Sequence, residues 1–321
     1  MPTDPVPAVD VTDVDGGDGA RRGRGGSEGG GGSGNGGGPP VQPRSSRGSN
    51  AKVMIVLGAL IVPVMLAAGV VIIPNLLSSG GGGTVKTAPT VSGAQYKLFL
   101  RPGLTLSQIG DVVATLPGHT KAGFLAAANS GRVRSHYEPA TTSSLEGLLA
   151  PDTYFVGTTE SDDSILRRLV THFDALADQV GTNSATAVPP YQTIIVASLV
   201  GQEAKLRADS PQVAAVIYNR IRARMPLQID ATLCYVKGGC PPVPTNADKL
   251  LKNPYNTYKI AGLPPTPIAS VTTSALQAAL QPAAVPYIYY VIGDSTGKLV
   301  FSTTLQQQTA NIRAARAKGL L

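Results

Sequence analysis

The sequence is poor in residues that bind metals or redox cofactors. It has two cysteines and three histidines in 321 residues. Cys234 and Cys240 stand in CYVKGGC, with no C-x-x-C and no histidine nearby, which makes a poor zinc site. His119, His136 and His172 are scattered and pair with no obvious nucleophile. Outside the glycine-rich tail there is no GxGxxG, and the phosphate-binding P-loop and HExxH are missing, so nucleotide-dependent and zinc-hydrolase chemistry have no motif to rest on. Large apolar residues are nearly absent before Asn50, and Gly16 to Gly38 is low-complexity. Such a stretch cannot bury enough surface to offset chain entropy, so residues 1–52 are expected to be a disordered tail.

The next stretch has the opposite character. Val53 to Leu77 is a continuous uncharged run, longer than the ~20 residues that span hydrocarbon. Pro63 and Gly69 within it are tolerable in a membrane helix. It is too long, and its leader too long, for a signal peptide. Arg44, Arg47 and Lys52 precede it closely and only Lys86 follows closely, so the tail is expected in the cytoplasm and the rest outside. Basic and acidic side chains balance in the tail, so the net charge of +7 belongs to the external part. A basic domain beside a membrane points to acidic lipids or an anionic polymer, and nucleic acid is not an expected partner there. In that oxidising compartment a Cys234–Cys240 disulfide is the natural expectation, with two free thiols as the alternative. Residues 78–94 read as a flexible Gly/Ser/Thr linker.

The folded part is organised around Pro190 to Pro226. Pro190 suits the first turn of a helix. Ile195, Leu199, Glu203 and Leu206 follow at helical spacing, which places Glu203 on the apolar stripe. Ser210-Pro211 then signals a second helix carrying Val213, Val216, Ile217 and Ile221, with Arg220, Arg222 and Arg224 toward its end. Two readings of Glu203 are open. The helix could be rotated so that the carboxylate meets solvent, or partial burial could raise its pKa and let it carry a proton near neutrality.

Around this centre the pattern predicts an α+β fold rather than a doubly wound one. Expected elements are a strand at Tyr96–Leu100, a helix capped by Thr105 or Ser107 and running to Leu116, and a short helix at Lys121–Asn129. A strand at Thr153–Val156 and a helix at Ser164–Val180 come next. A helix near Thr273–Leu280, a hairpin of Tyr287–Ile292 with Lys298–Ser302, and a helix from Thr304 complete the set. The opening LFLRPGLTLSQIGDVV resembles a LysM-type glycan-gripping module; a plain packing subdomain is the alternative. The expected domains are thus a LysM-like subdomain at 95–160 and a catalytic domain at 161–321.

Several stretches occur together in order: LEGLLAPDTYFV, ASLVGQEA, VAAVIYNRIRARMPLQIDATLCY, NPYNTYKIAGLPPTPI, ALQPA, and YIYYV followed by LVFS. In combination, from Tyr96 to Arg316, they resemble the MltG (YceG-like) endolytic murein transglycosylases of the bacterial inner membrane. The resemblance implies cleavage of peptidoglycan glycan strands between MurNAc and GlcNAc to leave 1,6-anhydroMurNAc ends, without cofactor or metal. It aligns the family's catalytic glutamate with Glu203, and cell-wall synthases become possible partners. The matched loops supply Gln228, Asp230, Tyr255, Asn256, Thr257 and Tyr258 as candidate sugar contacts. Two departures stand out. Gly201 replaces a frequent second glutamate, and Ala269 to Thr273 replace an Asn-Pro-Gly start, which leaves a single-acid mechanism intact. Competing readings are a non-catalytic wall-binding anchor and a hydrolytic muramidase with Asp230 as second carboxylate.

Overall fold

The computed structural model describes residues 95–184, 188–240 and 244–321. The expected tail, membrane run and linker lie outside these residues. Among the described residues no helix is long and apolar enough to cross a membrane.

The first four elements are β1 (Gln95–Phe99), α1 (Leu106–Val113), α2 (Lys121–Ala128) and β2 (Thr153–Gly157). β1 and β2 pair antiparallel, with Leu98 opposite Tyr154 and Tyr96 opposite Val156. Leu98, Tyr154 and Val156 point inward and are buried, whereas Phe99 and Phe155 face out, as the period of two requires. Thr105 caps α1 through a capping box with Gln108. The helix stops at Val113, one turn short of the expected Leu116, which still packs into the core.

After α3 (Asp162–Gln179) comes the central pair, α4 (Pro190–Glu203) and α5 (Ser210–Arg222). Every residue of α4 from Thr193 to Val200 is buried. It is therefore a core helix covered on all sides, not the amphipathic one that its spacing suggested. Its sides are taken by α5, α6 (Asp230–Val236) and α8 (Thr273–Leu280). α4 ends at Glu203, so Leu206 lies beyond it and does not share a stripe with that residue. Ser210 is the first residue of α5 rather than its cap. Asp209 occupies the cap position, but its side chain accepts the Leu299 N–H at 2.9 Å instead.

The remaining elements are α7 (Asn246–Lys249), β3 (Tyr289–Ile292), β4 (Leu299–Ser302) and α9 (Leu305–Ala317). β3 and β4 form the expected antiparallel hairpin, shorter at the start of each strand. Arg220 stands with Arg222 in the last turn of α5, as expected, but is buried. Its guanidinium donates to the carbonyls of Ile288 (2.6 Å), Pro226 (3.1 Å) and Leu227 (2.9 Å), and so ties the hairpin and the approach to α6 onto α5. One hydrophobic cluster runs from Leu98 in β1 through α4 to Ala279 in α8.

Candidate active site

Glu203 is the last residue of α4, where the helix opens from the core toward solvent: Val200 is fully buried, Gly201 and Gln202 are exposed, and Glu203 is half-buried. Its Oε2 accepts the Tyr290 hydroxyl at 2.9 Å, and the Ala231 N–H also donates to it. Burial raises the carboxyl to about 7; the Tyr290 and Ala231 donors oppose this, and the nearby Asp230 charge adds to it. A carboxyl in this range is protonated often enough to donate and ionised often enough to accept near neutrality. Tyr290 itself is pushed well above an ordinary tyrosine, first by burial and then by the Glu203 charge, so it stays a donor.

Tyr290 arrives on β3, and the strand and its approach are held from α5 and from α9. Asn219 donates to the carbonyls of Val285 and Tyr287, Gln308 donates to the Tyr290 carbonyl, and Arg220 holds Ile288. The carboxylate and its hydroxyl partner thus sit on separately anchored elements, a preorganised pair.

Glu203 opens into a cleft of about 380 Å³ with two walls. One is the β1–α1 turn, with Arg101, Gly103, Thr105 and Gln108. The other is α6 and the loop after it, with Ala231, Cys234, Tyr235, Gly239 and Cys240; Gln202 and Ile268 complete the lining. The turn is stitched to the end of α4 and to the segment that leads into α8. Gly103 N–H donates to the Ser270 carbonyl, Ser270 N–H donates to the Leu104 carbonyl, and Leu104 N–H donates to the Ser270 hydroxyl. Gln202 Nε2 adds a bond to the Gly103 carbonyl at 3.1 Å. Cys234 and Cys240 are bonded to each other, with Cα atoms 5.0 Å apart, and they lie in the cleft wall.

A larger groove, about 660 Å³, lies elsewhere, between Pro139, Tyr191, Tyr218 and the Leu263–Thr266 loop. It holds no acidic or basic side chain, and Tyr191 is about 18 Å along α4 from Glu203 at 1.5 Å per residue. The smaller cleft, not the larger groove, holds the carboxylate.

The six loop residues expected to touch sugar are placed differently, and none lines the cleft. Asn256 and Thr257 are fully buried. Asn256 Nδ2 donates to the carbonyls of Lys249 and Leu251, and Thr257 Oγ1 accepts the Ile229 N–H, so both are scaffold. Gln228 has a positive φ of 53° and its Oε1 accepts from Arg220. Tyr255 is half-buried behind Tyr235, its hydroxyl on Thr266 Oγ1 at 2.8 Å. Tyr258 donates to Asp230 at 2.6 Å, and this pair alone flanks Glu203, since both groups feel its charge. Polar loop residues that satisfy backbone groups look the same in a sequence as residues that offer themselves to a ligand.

Sequence reasoning passed over Tyr290, Tyr235 and Gln202. The available signal was the run YIYYV: side chains of adjacent strand residues point to opposite faces, so one tyrosine of each neighbouring pair had to face the α4 side. Gly201, where a second glutamate is frequent, is exposed, and a Cβ there would meet only Ala275 at 3.9 Å. Nothing in the packing requires glycine. Among the described residues no cluster of histidine, cysteine and carboxylate could hold a metal ion.

A raised carboxyl at a helix end, above an open cleft with polar walls, has the makings of a general acid and base. The chain belongs to the YceG-like family, whose model matches residues 83–314. It is similar to the endolytic murein transglycosylase of Bacillus subtilis, 28% identical over 69% of this chain and 66% of the relative. It is also similar to that of Streptococcus pneumoniae D39, 25% identical over 67% and 44%. The chain thus spans less than two thirds of these relatives' lengths. A yceG-like protein of Listeria monocytogenes has a crystal structure that superposes with a TM-score of 0.61 at 31% identity, over 67% of this chain and 75% of that one.

Proposed function

We propose that the chain is a peptidoglycan lytic transglycosylase that cuts within glycan strands, with Glu203 as its single acid and base. The observation that carries this reading is the raised, half-buried Glu203 carboxyl on the cleft, held by Tyr290 and the Ala231 N–H. The names of the Bacillus and Streptococcus relatives point to murein as the substrate.

The chemistry needs one carboxyl group because the sugar brings its own nucleophile. Protonated Glu203 gives its proton to the glycosidic oxygen as the bond from MurNAc C1 to that oxygen breaks, freeing the GlcNAc 4-hydroxyl. The MurNAc C6 hydroxyl then attacks C1, and its proton passes to the Glu203 carboxylate. The ring closes as 1,6-anhydroMurNAc, no water is consumed, and Glu203 returns to its starting state. Holding O6 and C1 in one molecule supplies the proximity that can be worth ~7–11 kcal/mol, and general acid–base transfer contributes about 10²–10⁴-fold. Asp230, clasped by Tyr258, raises Glu203 by its charge and so favours the proton-bearing form at the start.

On this reading Val53 to Leu77 anchors the enzyme in the cell membrane, the tail is cytoplasmic, and the cleft faces the wall. The β1-α1-α2-β2 segment supports a LysM-like role, since its first turn forms one wall of the cleft and meets the same strand. Wall synthases that supply nascent strands are the expected partners.

The reading is tested by digesting peptidoglycan in oxygen-18 water. It predicts internal fragments ending in 1,6-anhydroMurNAc with no label at the new terminus. Labelled reducing ends would make water the nucleophile and Asp230 the partner carboxylate.

A further inference from the structure

A second glutamate lies under the cleft. Glu146 is 4% exposed and reaches none of the cleft's open surface. Its Oε1 accepts the Leu106 N–H at 2.9 Å, in the first turn of α1, and its Oε2 accepts the Tyr235 hydroxyl at 3.1 Å, from α6. Those two elements carry the opposite walls, so one side chain holds both. The adjoining backbone leaves little freedom: Gly147 has a φ of +76°, and a Cβ there would stand 2.3 Å from Pro267, next to Ile268 in the cleft lining. A surface role does not explain a carboxyl at this depth. Burying it costs free energy that its hydrogen bonds must offset, and the same bonds would be unnecessary if an apolar side chain filled the space.

We infer that Glu146 is a positioning residue that clamps the α1 start to Tyr235 and so sets the width of the cleft over Glu203. The inference rests on the reading of this cleft as the active site, but the clamp has a signature of its own. With the carboxyl in place, the turn Gly103–Leu106 is tied to the Tyr235 wall; with either arm cut, the turn keeps only its bonds to Ser270 and Gln202 and loosens relative to that wall. A glutamine keeps both arms, because its Oε1 accepts from Leu106 and its amide donates to the Tyr235 oxygen. Tyr191 also feels this carboxylate.

Amide hydrogen exchange of the protein and its Glu146→Ala, Glu146→Gln and Tyr235→Phe variants tests the clamp, with turnover on glycan strands measured in parallel. Loss of one hydrogen bond at the wall should speed exchange at Gly103–Leu106 by about fivefold in Tyr235→Phe and more in Glu146→Ala. Turnover in both should fall, by up to roughly 10²-fold for a displacement near 1 Å, and Glu146→Gln should restore both readouts. Should Glu146→Ala not fold, Tyr235→Phe carries the test. Unchanged exchange at Leu106 in folded Tyr235→Phe, or a Glu146→Gln protein that behaves like one cut at Tyr235, would overturn the clamp. Wild-type protein without lytic activity, but with the exchange pattern intact, would sink the proposed function and leave the clamp standing.

Discussion

Glu203 and Glu146 are nearly the same group in two regions of one molecule. Both carboxyls are raised to about 7 chiefly by burial, both accept a tyrosine hydroxyl, and both accept backbone N–H groups. They differ in access. Glu146 is sealed beneath the walls and its donors come from the two sides of the cleft, whereas Glu203 stands at a helix end where α4 leaves the core. A raised pKa alone therefore does not mark a catalytic group; the raised group must also meet the space where a substrate can lie.

The largest effect that could break this comparison comes from one substitution made at both places. Glu203→Gln removes the transferable proton at the exposed end and should lower anhydro product by at least ~10²-fold while the protein stays folded. Glu146→Gln should leave product formation close to wild type. Equal losses, read as anhydro-ended fragments by mass spectrometry, would erase the distinction.

Tyr290→Phe sharpens it with a smaller effect. The Tyr290 hydroxyl favours the ionised form of Glu203, so its removal should raise the Glu203 pKa further. The acid then keeps its proton to higher pH, and the basic limb of the pH–rate profile moves up. Turnover at the optimum should fall by about fivefold to tenfold, the ~1–1.4 kcal/mol weight of one ordinary hydrogen bond. A basic limb that moves down would contradict the direction of the Tyr290 contribution.

The legible parts of this fold were those written locally. Thr105 and Thr304 announce helix starts through a side chain and a partner three residues on, and the structure caps both helices there. The α3 and α8 helices and the β3–β4 hairpin likewise obey short-range signals. Glu203 was visible because its helix and its resemblance coincide. The other half of the site was not visible, because it joins positions far apart in the chain: Tyr290 meets Glu203 across 87 residues and Tyr235 meets Glu146 across 89. The apolar run in α4 could not reveal that partners cover every side, so Leu206 was placed on a stripe that ends before it. Asn256 and Thr257 misled for a related reason, since nothing local says whether a loop amide faces a sugar or a carbonyl.

The central claim is that the group on the cleft carries a proton near neutrality. Carbon-13 NMR of glutamate carboxyls, titrated in the wild type and in Glu203→Gln, measures this directly. The account predicts a resonance with a midpoint of about 7 that disappears in Glu203→Gln, while the sealed Glu146 signal stays. A Glu203 midpoint near the ordinary 4.5 would contradict it.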